Sequence, residues 1–119
     1  LNKGDEFVAY GSPTEASAAL PGYLDDYIRR RVQKQISFRG IAPLEEYPKE
    51  AIEEDKRELR EVRIVPPDKF PFQNEINIYG DKVAIQFFKD RIGVILESRP
   101  IAETQRAIFE LAWIGAKHV

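Results

Sequence analysis

The sequence predicts an α/β domain in which a mixed sheet of about six strands has helices packed on it. Three observations support this fold class. A strand-like segment leads into a helix start near residue 12, a short turn joins two alternating apolar runs near residue 80, and an apolar helix closes the chain. A length of 119 residues suits one compact core, so we expect residues 1–119 to form a single domain.

The composition excludes several classes of protein. With 43% hydrophobic and 32% charged residues, the chain has enough apolar surface to form a core. The lack of cysteine excludes a disulfide scaffold, a thiolate zinc site and a thiol nucleophile. No apolar stretch approaches the ~18 residues of a membrane span, and the first residues have no signal-peptide character. We therefore expect a cytoplasmic protein that has no membrane partner.

The net charge and the first residue bear on DNA binding and on whether the chain is part of a longer protein. A net charge of −2 argues against capture of nucleic acid by the whole domain, because neutralising phosphates requires clustered lysine and arginine. The chain contains no methionine and begins at Leu1, so we interpret it as a fragment of a longer protein. We expect any DNA binding to lie elsewhere in that protein.

The first part of the chain predicts a right-handed βαβ unit. Glu6–Gly11 has the pattern of a short strand, and Ser12–Glu15 then forms a helix start in which Ser12 is the N-cap. After a Pro-Gly interruption, apolar residues recur at helical spacing and predict a helix from about residue 23 to residue 34. Ile36–Ile41 predicts a second strand, parallel to the first.

The middle of the chain changes from an acidic helix to strands. Glu45–Glu61 carries eight acidic and four basic residues and few apolar ones, which predicts a solvated helix. Val62–Val65 predicts a third strand, stopped by two prolines. Alternating apolar residues on both sides of Gly80-Asp81 predict a β-hairpin over Ile76–Phe87.

The C-terminal part predicts an apolar strand followed by an apolar helix. Ile92–Glu97 is apolar enough for a strand that is covered on both faces. A helix follows from about Ile101 to Ile114, with Ser98 as a cap. Because its apolar residues cover more than one face, we expect it to contribute to a homodimer interface; burial within one domain is the alternative. The residues concerned are Phe109, Trp113 and Ile114.

Few residues have the arrangement of a catalytic or metal site. His118 is the only histidine and lies one residue from the end, which argues against a catalytic base. The serines lie in no nucleophile elbow, and neither a P-loop nor a dinucleotide fingerprint is present. Glu53, Glu54 and Asp55 point around a helix and cannot converge on a metal ion. We expect neither a metal site nor a cofactor.

Basic residues cluster between Arg29 and Arg39, with no acidic residue among them. The simplest interpretation is a surface helix whose arginines pair with the acidic helix downstream. Arg39 differs because it lies in a predicted strand, as Arg63 does, and Glu97 lies near the end of another strand. Strand ends in α/β sheets commonly form ligand crevices, so these charges indicate a candidate binding site.

Several segments match one known pattern. They are Asn74–Ile85 (NEINIYGDKVAI), Ile92–Ser98, Ile101–Thr104, Phe109–Trp113, Tyr10–Pro13 and Ile41–Pro43. Together they resemble the C-terminal effector domain of TrmB-type transcriptional regulators. The resemblance covers nearly the whole chain and consists of many moderate matches. It implies a phospholipase-D-like topology, a small-molecule effector, a helical dimerisation linker and an N-terminal winged helix-turn-helix that binds DNA.

The comparison with phospholipase D can be made residue by residue. Active enzymes of that fold carry His-x-Lys-x4-Asp on a strand, and the histidine is the nucleophile. Lys82 matches the lysine, whereas Gly80 and Phe87 stand where histidine and aspartate belong. The resemblance therefore implies the fold without that catalysis, and we expect the chain not to be an enzyme.

The favoured function is a ligand-sensing and dimerisation domain of a TrmB-like regulator. A degenerate phosphodiesterase-like enzyme and a purely structural interaction domain are the alternatives. For the effector, a sugar or an anionic metabolite, we expect a crevice at the strand ends, where a helix N-terminus, arginines and tyrosines recognise anions and sugar rings. Its candidate residues are Tyr10, Ser12, Arg39, Arg63, Tyr79 and Glu97.

Overall fold

The computed structural model describes residues 6–11, 29–87, 89–90 and 92–118. In these ranges seven strands form one sheet. They are β1 (Glu6–Tyr10), β2 (Ser37–Pro43), β3 (Arg60–Val65), β4 (Glu75–Tyr79), β5 (Lys82–Phe87), β6 (Ile92–Glu97) and β7 (Lys117–His118). The predicted α/β class with a mixed sheet is confirmed, and the sheet has one strand more than expected.

The strands lie side by side in the order β6-β5-β4-β1-β2-β3-β7. β1, β2 and β3 are mutually parallel, whereas the other neighbouring pairs are antiparallel. The parallel pairing of β1 with β2 is as predicted, and so is the hairpin of β4 and β5. β1 therefore lies at the centre of the sheet, where a parallel half meets an antiparallel half.

Helices occur at residues 29–33, at Lys49–Arg57 (α1) and at Arg99–Gly115 (α2) in the described ranges. The helix start predicted at Ser12, and most of the helix predicted from residue 23, lie outside those ranges. α1 is shorter than the predicted acidic helix because Leu59 adopts a left-handed φ of 55° and Arg60 already pairs with Phe38 in the sheet. α2 begins directly after Ser98, whose hydroxyl accepts a hydrogen bond from the Ile101 N–H and so confirms the predicted cap.

α2 packs across one face of the sheet, which we call the helix face. Phe109 of α2 and the strand residues Val8, Ile78 and Val83 are fully buried there. Since adjacent strand residues alternate between faces, the helix face carries every second residue of each strand. Burial of these apolar side chains stabilises the folded state. The core cluster comprises Val8, Ile41, Ile78, Val83, Ala102, Phe109, Trp113 and Ala116.

For the last helix, the sequence left two alternatives, a homodimer interface and burial within one domain. Phe109 and Trp113 are buried within the domain, whereas Ile114 is 78% exposed. Ile108 and Leu111 are also exposed, so α2 has an apolar outer side as well as an apolar inner side. Phe109 and Trp113 therefore belong to the core of the domain, as the second alternative predicted.

Two predictions about the edges of the sheet are wrong. β6 was expected to be covered on both faces, but all of its residues are exposed because it is the terminal strand of the sheet. The apolar helix was expected to close the chain, but Lys117 and His118 follow it as β7, where His118 pairs with Arg63 of β3. Both errors arise because apolar content and chain position do not specify which strands become neighbours.

At two positions, Gly80 and Gly11, the backbone requires a glycine. Gly80 adopts a φ of 56° in the turn of the hairpin, a conformation that glycine adopts without steric penalty. At Gly11, a Cβ would lie 2.7 Å from the Cα of Glu75, so only glycine lets β1 continue past that strand. No helix in the described ranges is long and apolar enough to cross a membrane.

Candidate functional site

The sheet divides the predicted site residues between its two faces. Tyr10, Ile41 and Arg63 are directly opposite one another in register, and Arg39 is two residues from Ile41, so these side chains share the helix face. Tyr79 and Glu97 follow helix-face residues by one position and lie on the opposite face. Ser12 lies outside the described residues. The expectation of one crevice for the whole set is therefore corrected, because neighbouring positions in a strand point to opposite faces.

Arg39 is the most heavily bonded of these residues. Its guanidinium donates to both carboxylate oxygens of Glu6, at 2.8 and 2.9 Å, and also to Glu110 on α2. Hydrogen bonds to Glu110 and Glu6 raise the pKa of Arg39, and in return Arg39 lowers the pKa of Glu110. These partners are glutamates of β1 and α2, so Arg39 joins its own strand to a neighbouring strand and to the last helix.

Arg39 and Arg63 lie against the same aromatic pair of α2. The Arg39 guanidinium is 5.3 Å from the centre of the Phe109 ring and 5.2 Å from that of Trp113. The Arg63 guanidinium is 4.3 Å from the Trp113 ring and donates to the Trp113 carbonyl at 2.7 Å. Such cation–π contacts strengthen when they are shielded from water. These residues, together with Tyr10, Glu6 and Glu110, form what we call the arginine cluster.

Tyr10 completes the arginine cluster from the centre of the sheet. Its ring stacks on Phe109 with centroids 6.2 Å apart, and its hydroxyl donates to Gln105 of α2 at 3.1 Å. Burial raises the pKa of Tyr10, so the hydroxyl stays protonated and acts as a donor. Tyr10, Arg39 and Arg63 are thus brought together by their shared contacts with one helix.

Tyr79 and Glu97 have different surroundings. The Tyr79 ring is parallel to that of Phe7, with centroids 5.1 Å apart. Glu97 is opposite Lys82 at the outer strand of the sheet. Neither residue takes part in the arginine cluster, and ligand binding by either one stays a prediction.

Arg31, within the basic run, has a structural position that the sequence did not reveal. It is 5% exposed and donates to the carbonyls of Ile36 at 2.8 Å and Glu58 at 2.6 Å, with a longer contact to Leu59. These carbonyls belong to the start of β2 and to the end of α1. No local signal identifies Arg31 among its neighbours, because two of its acceptors lie 27 and 28 residues away in the chain.

Asp55 is a second buried group that the sequence analysis missed. It was assigned to a solvated face, yet it accepts a hydrogen bond from the Tyr47 hydroxyl and lies 3.7 Å from the Nε of Arg60. Burial raises the pKa of Asp55, and the Tyr47 and Arg60 contacts oppose that shift. Glu53 and Glu54 are exposed as expected. Within the described ranges, no three acidic or histidine side chains group in a way that could hold a metal ion.

The similarity of this chain to a known protein lies in the fold. No family model matches the chain, and no curated protein sequence matches it. Among solved structures, that of TrmBL2, an archaeal chromatin protein described with a novel mode of DNA binding, aligns with a TM-score of 0.68 at 14% sequence identity. The fold is similar to part of TrmBL2. The alignment covers 97% of this chain and 45% of TrmBL2, so the chain spans less than half the length of that protein.

The match to TrmBL2 concerns the fold. At this identity, shared architecture does not carry over a binding site or an activity. The alignment includes 97% of the chain, so the similarity in fold extends over the mixed sheet and α2. The arginine cluster is therefore a feature of this chain that has to be interpreted from its own contacts.

Proposed function

We propose that this chain is the regulatory domain of a TrmB-like transcription regulator, which senses a small molecule and dimerises while another domain of a longer protein holds the DNA. The observation that carries the proposal is the structural similarity to TrmBL2 over 97% of this chain and 45% of that protein. The net charge of −2 supports a division of labour in which DNA contact lies outside this chain.

The arginine cluster is the proposed effector site. Arg39 presents its guanidinium to the carboxylates of Glu6 and Glu110, whose side chains are 39% and 48% exposed. An anionic or hydroxyl-rich ligand that binds this guanidinium competes with those carboxylates in water, where such ion pairs contribute little. The rings beside Arg39 offer an apolar surface for a sugar, and Arg63 offers a second guanidinium.

Ligand binding at this site would act on α2. Glu110, Phe109 and Trp113 all belong to that helix, so exchanging Glu110 for a ligand changes the contacts between α2 and β2. A ligand shifts a conformational equilibrium by its difference in affinity for the two states. α2 also carries the exposed apolar residues Ile108, Leu111 and Ile114, which gives the helix a second surface that such a shift would move.

A ligand screen tests the sensing function. Calorimetry with sugars, sugar phosphates and nucleotides should identify a ligand whose affinity falls at least about tenfold in Arg39→Ala and Arg63→Ala. Glu110→Gln should instead tighten the binding of an anionic ligand, because it removes a competitor for Arg39. Arg99→Ala, which alters an exposed ion pair with Glu103 at the start of α2, is the matched control. A ligand whose affinity is unchanged in Arg39→Ala and Arg63→Ala would place the site elsewhere. The lack of any binding ligand in the screen would favour a purely structural domain.

Two further measurements test the regulator itself. The coding sequence upstream of Leu1 should encode a winged helix-turn-helix. The full-length product should bind duplex DNA in a salt-sensitive manner, whereas the 119-residue chain should bind no better than a generic acidic protein. A submicromolar, salt-sensitive complex of the isolated chain with DNA would contradict the proposed division of labour.

A further inference from the structure

The two edges of the sheet are built differently. Both residues of β7, Lys117 and His118, are exposed, and a lysine on an edge strand disfavours pairing with another strand. The β6 edge has six exposed residues, Ile92–Glu97, with neither lysine nor proline among them. A long apolar edge strand is a template for adding another strand. One edge is therefore protected and the other is open.

The hydrogen-bond pattern shows which backbone groups of β6 point outward. The Ser98 N–H donates to the Asp81 carbonyl at 2.9 Å, and these residues continue the register in which Lys82 is opposite Glu97. In an antiparallel pair, hydrogen-bonded and non-hydrogen-bonded positions alternate. Ile92, Val94 and Leu96 therefore direct their backbone groups toward β5, whereas the backbone groups of Gly93, Ile95 and Glu97 face the open edge.

We propose that β6 pairs with β6 of a second copy of this chain, antiparallel and about a two-fold axis at Ile95, to form one continuous sheet. In this register Ile95 is opposite its own copy and Gly93 is opposite Glu97, so every outward backbone group of β6 gains a partner. A two-fold interface of this kind closes on itself. The β7 edges then become the outer edges of the joined sheet.

The side chains suit the same register. On the helix face Val94 lies beside Leu96 of the second copy, which extends the apolar rows formed by Val83 and Ile85. On the opposite face the two Glu97 carboxylates stay at opposite ends of the interface, each next to the Lys82 of its own β5. No like charges face each other across the pair, and a polyanion would find no cationic side chain in β6 itself. These features favour a second copy over nucleic acid.

The register makes a proline test possible. Because the Ile95 N–H points to the open edge, Ile95→Pro removes no hydrogen bond to β5, whereas Val94→Pro removes one. Sedimentation of the 119-residue chain should show a dimer. Ile95→Pro and Ile95→Lys should raise its dissociation constant by at least about tenfold while the monomer stays folded. Val94→Pro should lower the melting temperature of the monomer as well.

A crosslinking experiment tests the two-fold axis itself. Since the chain has no cysteine, Ile95→Cys introduces a single thiol, and a short bismaleimide should join two copies efficiently. Leu111→Cys and Leu111→Lys are the matched controls, because Leu111 is 73% exposed on α2 and lies outside β6. A wild-type monomer at high concentration would overturn the proposal, as would a dimer broken by Leu111→Lys and not by Ile95→Lys. Open-ended aggregates in place of a dimer would contradict the closed symmetry.

This inference deepens the dimerisation part of the proposed function and does not depend on an effector. Failure of the ligand screen leaves the sedimentation result unchanged. Conversely, a monomeric chain that still binds a ligand through Arg39 would refute the β6 interface and keep the sensing function.

Discussion

Arg63 joins the third strand of the sheet to the end of the last helix through Trp113. Its guanidinium lies 4.3 Å from the centre of the Trp113 ring and donates to the carbonyl of the same residue at 2.7 Å. A cation near the last carbonyls of a helix complements the helix dipole. The Nε of Arg63 is buried and has no hydrogen-bond partner among the described residues, so the side chain is held by these two contacts.

Arg63→Ala should therefore destabilise the domain by about 1–3 kcal/mol, because it removes the carbonyl contact and uncovers the Trp113 ring. Chemical denaturation measures this change, and Trp113 fluorescence should shift to the red in the native state. Arg99→Ala should change the stability by less than about 0.5 kcal/mol. Equal effects of both substitutions would show that the Trp113 contact contributes nothing specific.

Arg31→Ala should also destabilise the domain. It leaves the buried Ile36 carbonyl before β2 and the partly buried Glu58 carbonyl after α1 without their donor, which costs about 2 kcal/mol. Arg31→Lys should recover only part of this loss, because an ammonium group cannot span two carbonyls in the planar geometry of a guanidinium. The exposed Arg57 of α1 provides the control as Arg57→Ala. A melting temperature of Arg31→Ala within a degree of wild type would contradict this assignment.

Glu75 should make the stability of the domain depend on pH. Burial raises its pKa, and the hydrogen bond with Asn77 and the charge of Arg60 only partly offset that shift. Between the ordinary pKa and the raised one, the folded state binds more protons than the unfolded state, so stability falls as pH rises through this window. Glu75→Gln should therefore be increasingly more stable than wild type as pH rises. Thermal melts at several pH values measure the difference, with the exposed Glu53→Gln as control. A stability difference between wild type and Glu75→Gln that does not change with pH would refute this prediction.

We expect no phosphodiesterase activity. In the hairpin, Gly80 forms the turn, Lys82 begins β5 opposite Glu97, and Phe87 ends that strand, so no histidine nucleophile is available at these positions. Purified protein should not hydrolyse a generic phosphodiester above background. Hydrolysis that is abolished by Lys82→Ala would establish the enzyme instead.

Local features of the sequence were sufficient for several elements. The Gly80-Asp81 turn lies between two runs of alternating apolar residues, and this pattern specifies the hairpin through neighbouring residues alone. Ser98 followed by an apolar helix specifies the start of α2 in the same way. For such elements the residues that interact are close in the chain.

The arginine cluster shows where local reasoning is insufficient. Arg39 and Arg63 were identified as unusual because charged residues lie in predicted strands, and both proved to have specific partners. Their partners Glu110 and Trp113 are distant in sequence, and so are the acceptors of Arg31. A sequence pattern reports the type of a residue and its spacing from near neighbours, whereas ion pairs form between groups that folding brings together.

The sequence by itself determined the α/β class, the strands β1 to β6, the hairpin and the cap of the last helix, since each depends on periodicity or on turn chemistry over a few residues. Only the tertiary structure decided that β6 is an exposed edge, that β7 pairs with β3, and that Tyr79 and Glu97 face away from Arg39 and Arg63. The physical reason is that strand order and register depend on hydrogen bonds between distant segments. A shift of one residue in that register would exchange the two faces of a strand.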